Sequence, residues 1–285
     1  IRPVILGAVV RNVDYTSIGV SADEFIKSLM DHQEKLHFAL GRGRKRASIG
    51  VHDLAKLAPP FTVKAVSGDT KFTPLAATEP MSIKEIMAEH PKGIEYAHLL
   101  SEFDRYPIIL DAENNVLSFP PIINGDHTTV TKETKDFFID VTGWDIRACE
   151  SSLMLIALQL QEYGGIIETV EVTNCFGETN VYPNGSAVEH KLTIAAIQGL
   201  LGGKLTEEAI SGAINRMGGK LVACDDELIT LEMPRWRFDI LHPVDLVEDI
   251  AIGHGYEDLG HDIPRSPMTA KPVSYTHLTL PTTLS

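Results

Sequence analysis

The feature that most constrains this chain is a break in pattern at Tyr182-Pro183-Asn184-Gly185-Ser186. A proline followed by Asn-Gly-Ser ends regular structure and marks a linker. Before it, short β-rich runs alternate with two long amphipathic stretches. After it come helix, helix, hairpin and helix within about 70 residues. At 285 residues, against ~150 per domain, the chain has room for two domains. The pattern predicts an α+β protein. A mixed α/β domain covers 1–175, a linker 176–187, a small winged-helix-like domain 188–262 and a tail 263–285. Ser274 to Pro281 has neither charge nor a helical or strand period, so residues after about 272 are expected to be foreign to the fold. The chain opens at Ile1 on a strand and is expected to be a piece of a longer protein.

In the first part, Val4–Val10 reads as a strand and Asp23–Leu40 as a helix with Phe25, Leu29 and Leu36 on one stripe. Ser48–Val51 and Phe61–Val66 are β-rich. Pro107–Leu110 and Val116–Phe119 flank a turn-forming Asp-Ala-Glu-Asn-Asn, a hairpin pattern. Phe137–Val141 reads as a buried strand, Arg147–Tyr163 as a helix stopped by Gly164-Gly165, and Ile166–Thr173 as a strand. In the second part, Thr193–Leu201 is a short helix and Thr206 caps another. Lys220–Cys224 and Leu228–Met233 form a hairpin, and Pro243–His254 is the last helix.

The net charge of −14 argues against nucleic-acid binding through the overall field, leaving only local contacts. No apolar run reaches the ~20 residues that span a bilayer, and no signal peptide opens the chain. Cys149, Cys175 and Cys224 form neither a disulfide framework nor a metal knuckle, so buried reduced thiols and a cytoplasmic location, with no membrane partner, are expected. No phosphate-binding loop, nucleophile elbow, zinc-protease or dinucleotide motif is present.

Three constellations remain. Asp245, Glu248 and Asp249 are spaced i, i+3, i+4 on one helix face, with Asp239 on the approach to it. Such like charges repel unless a cation offsets them. Carboxylate oxygens suit Mg²⁺, whereas an acidic first turn favoured by the helix dipole is the alternative. Next, Val116–Gly125, with Pro120-Pro121 as a rigid wall, and Ile139–Gly143 place Ser118, Asp140 and Thr142 beside apolar residues. A ligand pocket needs that combination, although Ser and Thr also cap backbone groups. Third, the basic loop Arg42, Arg44, Lys45 and Arg46 suits either RNA phosphates or the chain's own surplus carboxylates.

These stretches, with Gln33–His37, Ile49–Leu54, Pro91–Leu100 and Gly253–Tyr256, resemble the β subunit of phenylalanyl-tRNA synthetase in its archaeal and eukaryotic form. The resemblance covers residues 1–262. It implies that 1–175 is the B3/B4 domain, which hydrolyses mischarged Tyr-tRNA(Phe), and 188–262 the B5 domain. It places Ser118, Asp140 and Thr142 in the editing pocket, with Asp140 or Thr142 meeting the tyrosyl group. It places Asp239, Asp245, Glu248 and Asp249 on Mg²⁺-binding positions. Its implied partners are an α subunit in an (αβ)2 heterotetramer, which binds ATP and phenylalanine and carries the aminoacylation site, and tRNA(Phe). Arg235-Trp236-Arg237 and His254 depart from the family pattern without touching the carboxylates. A docking module without catalysis, and a stand-alone Mg²⁺-dependent hydrolase, are the competing readings.

Overall fold

A computed structural model describes residues 2–259, so the tail expected at 263–285 lies outside the described residues. The first strand, β1 (Val4–Arg11), lies in the middle of a five-stranded antiparallel sheet. On one side it pairs with β9 (Phe137–Gly143), which pairs in turn with β2 (Ala47–Asp53). On the other side follow β10 (Ile166–Thr173) and β11 (Thr179–Tyr182). Thr179–Tyr182, which sequence places in the linker, is therefore the edge strand of this sheet. Four residues hold too little pattern to distinguish it from a turn, and its pairing across Val170–Thr173 decides its state.

Two helices cover one face of the sheet: α1 (Ala22–Phe38) and α4 (Ile146–Glu162). Ser21 and Glu24 close α1 with a capping box. Phe25, Leu29 and Leu36 from α1 meet Leu153, Ile156 and Leu160 from α4. Between them lie the odd-numbered residues Phe137, Ile139 and Val141 of β9. The even-numbered residues Phe138, Asp140 and Thr142 point to the opposite face, because side chains alternate along a strand. Both faces are buried, so this strand reads as one unbroken run rather than an alternation.

A second sheet lies on that opposite face. Its order is β3 (Thr62–Val66), β6 (Tyr106–Leu110), β7 (Val116–Phe119) and β8 (Ile123–Asn124). Ile109 and Leu117 pack on Phe138, joining the two sheets. The ribbon β4 (Lys71–Phe72)–β5 (Met81–Ser82) leads into α2 (Ile83–Glu89) and α3 (Pro91–Tyr96). Sequence reading missed both helices, although Ser82-x-x-Glu85 is a capping box and Pro91 stands at a helix start.

Past Tyr182, a three-stranded sheet runs β12 (Val188–Thr193), β14 (Leu228–Met233) and β13 (Lys220–Cys224). It is covered by α5 (Ile194–Leu201), α6 (Glu207–Arg216) and α7 (Pro243–His254). Ile214, Ile229, Leu231, Leu246 and Ile250 build its separate core. The helices α6 and α7 cross closely at Gly253, where a Cβ would overlap the Ala213 carbonyl. Helix α4 holds this module to the first sheet: the Arg147 guanidinium donates to the carbonyl of Ile240 at 3.3 Å, and Arg235 faces Glu150 at 3.9 Å. Among the cysteines only Cys149 is fully buried, its thiol pKa pushed up to about 12 by burial; Cys175 is exposed. Among the described residues no helix is long and apolar enough to cross a membrane.

Candidate functional site

A cavity of about 620 Å³ opens between α1, β2, α3 and the end of the second sheet. Pro120 and Pro121 form one wall, as the rigid Pro-Pro step predicts, and Ile26, Met30, Ile49 and Val51 give it an apolar floor. Ser48, Ser118 and Thr128 add hydroxyls. An apolar cleft of this size with a few fixed polar groups fits a small organic side chain.

Ser118 lies on the cavity wall, its hydroxyl donating to Asn124 Oδ1 at 3.2 Å. Asp140 and Thr142, expected to meet the ligand, stand behind the wall and are already engaged. Thr142 Oγ1 accepts from Arg2 Nε at 3.0 Å, and the Thr142 carbonyl accepts from Arg2 Nη2 at 2.6 Å. Burial lowers the Arg2 pKa to about 10, with Cys149 and Asp140 opposing the shift, so it stays cationic at neutral pH. Asp140 Oδ1 receives a 2.7 Å bond from His52 Nε2, and His52 Nδ1 bonds Thr128 Oγ1 at 2.8 Å. All three side chains are within 2 % of full burial. His52 escaped the sequence reading because its partner lies 88 residues away and it stands just past the β-rich run Ser48–Val51.

Arg44 closes the other side. Its guanidinium donates to the carbonyls of Pro121 and Ile122 and to Glu34 Oε1 at 2.7 Å, and stacks on Tyr96. The Ile49 amide donates to His37 Nε2, which leaves Nδ1–H to donate to Glu34. That His37 bond, helped by Arg44, holds the Glu34 carboxyl at about 2. Because the folded value is depressed, this contribution to stability is complete above the ordinary 4.5 and is lost as pH falls towards 2. Melting midpoints taken between pH 5 and pH 2.5 are expected to fall less steeply for Glu34→Gln than for the parent. Parallel curves would remove this assignment.

The basic loop therefore pairs largely with the chain's own acids: Arg44 with Glu34, and Arg46 with Asp145 at 2.9 Å. Arg42, Gly43 and Arg44 are successively left-handed, folding the loop back on α1.

The four acids near α7 are not grouped around a metal-ion position. Asp239 and Asp249 converge on Arg237, which donates to Asp239 Oδ1 at 2.9 Å and to both oxygens of Asp249 at 2.8–2.9 Å. Asp245 Oδ2 accepts from the amides of Leu241 and His242 at 2.7 Å, capping the helix. Those bonds depress the Asp245 pKa, and Arg237 does the same for Asp239. Glu248 is exposed. Among the described residues no three His, Cys, Asp or Glu side chains are grouped to hold a metal ion. The acids thus do not fit a preformed Mg²⁺ site in this chain. The offsetting cation is Arg237, six residues before α7 begins at Pro243 and outside the i, i+3, i+4 spacing of the acids.

The B3/4 domain family matches residues 5–159, and the tRNA synthetase B5 domain family matches 190–256. The phenylalanine–tRNA ligase β subunit of Methanosarcina acetivorans is 48 % identical over 276 residues, 96 % of this chain and 49 % of that protein. The corresponding subunit of Archaeoglobus fulgidus is 40 % identical over 266 residues, 93 % of this chain and 47 % of that one. This chain spans about half the length of these relatives. An N-terminal fragment of the phenylalanyl-tRNA synthetase β subunit from Pyrococcus horikoshii, known from its crystal structure, superposes with a TM-score of 0.83 at 33 % identity. It is matched over 90 % of this chain and 72 % of the fragment.

Proposed function

The chain belongs to the phenylalanyl-tRNA synthetase β-subunit family, and from that premise we propose that it carries the site where the ligase hydrolyses Tyr-tRNA(Phe). The ligase joins phenylalanine to tRNA(Phe) at the expense of ATP, with activation on an α subunit and the two subunits forming an (αβ)2 heterotetramer in the cytoplasm. A pocket shaped for phenylalanine rejects tyrosine poorly, because the two differ by one added hydroxyl. A second pocket with polar groups supplies the missing discrimination.

The observation that carries this reading is the proline-walled cavity with Ser118 on its surface. In this role the cavity takes the tyrosyl ring and Ser118 fixes the aminoacyl group. Water adds through its oxygen to the ester carbonyl carbon, and the bond to the ribose oxygen breaks. One water proton ends on that ribose oxygen and the other leaves with the tyrosine carboxyl. Among the described residues no serine hydroxyl of the cavity is hydrogen-bonded to a histidine, so an oriented water is the attacking group, and positioning supplies the acceleration. Asp140 and Thr142 act from behind the wall.

Magnesium belongs, in this reading, to the assembled ligase. Asp239, Asp245 and Asp249 are engaged by Arg237 and the helix start, and the exposed Leu241 and Val244 beside them suit a docking face for a second chain. The ligase carrying Asp140→Ala is expected to deacylate Tyr-tRNA(Phe) at least about 10-fold more slowly, as misplaced reacting groups do, while charging phenylalanine normally. Equal deacylation by variant and parent would leave the docking function alone.

A further inference from the structure

We propose that His52 is the positioning residue of this site, holding Asp140 neutralised and tying it to the cavity wall through a directed chain of hydrogen bonds. The proposal rests on the editing reading and deepens it.

The protons can be counted. Thr128 Oγ1 lies 3.0 Å from the Gly125 carbonyl, which only accepts, so the single hydroxyl proton points there. Thr128 must then accept from His52, which places a proton on Nδ1. At 2.7 Å, Nε2 and Asp140 Oδ1 share a second proton, since two bare lone pairs would repel at that distance. The pair thus carries no net charge, whichever atom holds the shared proton. Every bond in the array has one donor and one acceptor, whereas a reversed chain would set the Thr128 hydroxyl oxygen and the Gly125 carbonyl oxygen 3.0 Å apart with no proton between them.

The surroundings are built for this array. Gly50 lies beside Asp140 in the β2–β9 register, and a Cβ there would overlap Asp140 Oδ1 and stand 2.7 Å from His52 Nε2. At the other end, the Gly125 amide donates to the Leu117 carbonyl at 2.7 Å, and Gly125 and Thr128 both line the cavity. The array therefore joins β9, β2 and the turn after β8, and ends on the surface a ligand touches. A bare buried carboxylate behind the wall would repel both the phosphates of a tRNA 3′ end and a developing oxyanion; the shared proton removes that repulsion.

The test pairs an activity with a spectroscopic readout. Proton NMR of the 285-residue chain is expected to show two slowly exchanging imidazole N–H signals from His52. Asp140→Asn shifts one of them, and the near-isosteric Thr128→Val speeds exchange of the other. In the complete ligase, His52→Leu is expected to lose about 10- to 100-fold in kcat for Tyr-tRNA(Phe) deacylation with KM nearly unchanged. His52→Gln, keeping one donor, recovers part of the loss, and Thr128→Val tests the array if His52→Leu fails to fold. Folded variants deacylating at the parent rate, or absent His52 N–H signals, would overturn the positioning role. A parent ligase that leaves Tyr-tRNA(Phe) intact would instead overturn the editing reading, and the N–H signals would still decide the array.

Discussion

Replacing Arg237 by methionine is expected to cost about 3–5 kcal/mol of stability in the second module, the range measured when one partner of a buried ion pair is removed. Arg237 and Asp249 are 10 % and 5 % exposed at the side chain, so neither is well hydrated. The guanidinium spans Asp239, Asp249 and the Met217 carbonyl, joining the end of α6 to α7. Methionine fills a similar volume but leaves the Asp249 carboxylate buried and unpaired. Removing both charges, as Arg237→Met with Asp249→Leu, is expected to recover most of the loss, because the penalty comes from the stranded charge. Denaturant midpoints of the three proteins measure this. The parent midpoint is expected to be the same in Mg²⁺ and in EDTA, since an ion bound only to the folded chain would raise it. A magnesium-dependent rise, with Arg237→Met nearly neutral, would return the cluster to metal binding.

The second large effect is expected at Gly50. Alanine there costs about 1–3 kcal/mol or more, because overpacked cores respond by shifting backbone or leaving favoured rotamers. The obstacle is the fixed Asp140–His52 pair rather than a flexible side-chain end. Gly7, on the other side of Asp140, offers the internal comparison: its Cβ would meet Phe138 at 3.3 Å, which a small ring movement relieves. Gly7→Ala is therefore expected to stay within about 1 kcal/mol of the parent. Loss of deacylation in Gly50→Ala but not in Gly7→Ala, read beside their melting curves, supports the array. Equal behaviour of the two would count against it.

Much of this architecture is legible in the sequence, and the reasons are local. The stripe Phe25, Leu29, Leu36 and the stops at Gly164-Gly165 are properties of neighbouring residues, so α1 and α4 emerge close to where periodicity puts them. The rigid wall at Pro120-Pro121 follows from two fixed φ angles. What stays hidden depends on long-range pairing. Strands β11 and β12 are short edges whose state is set by Val170–Thr173 and by β14. His52 acquires its role only when β2 and β9 pair, and Asp140 and Thr142 prove to be engaged by His52 and Arg2 rather than free. The acids of α7 carry a helical spacing that suits a cation equally well whether it is magnesium or the arginine that fills the gap. Spacing alone cannot choose between them.

The most direct test of the central claim is the binding of two non-hydrolysable amide-linked adenosine analogues, one tyrosyl and one phenylalanyl, to this chain. The account predicts that the tyrosyl analogue binds at least about 10-fold tighter, the discrimination a hydrogen-bonded hydroxyl supplies, and that Ser118→Ala weakens its binding. Equal affinity for the two analogues, or binding unaffected by Ser118→Ala, would contradict it.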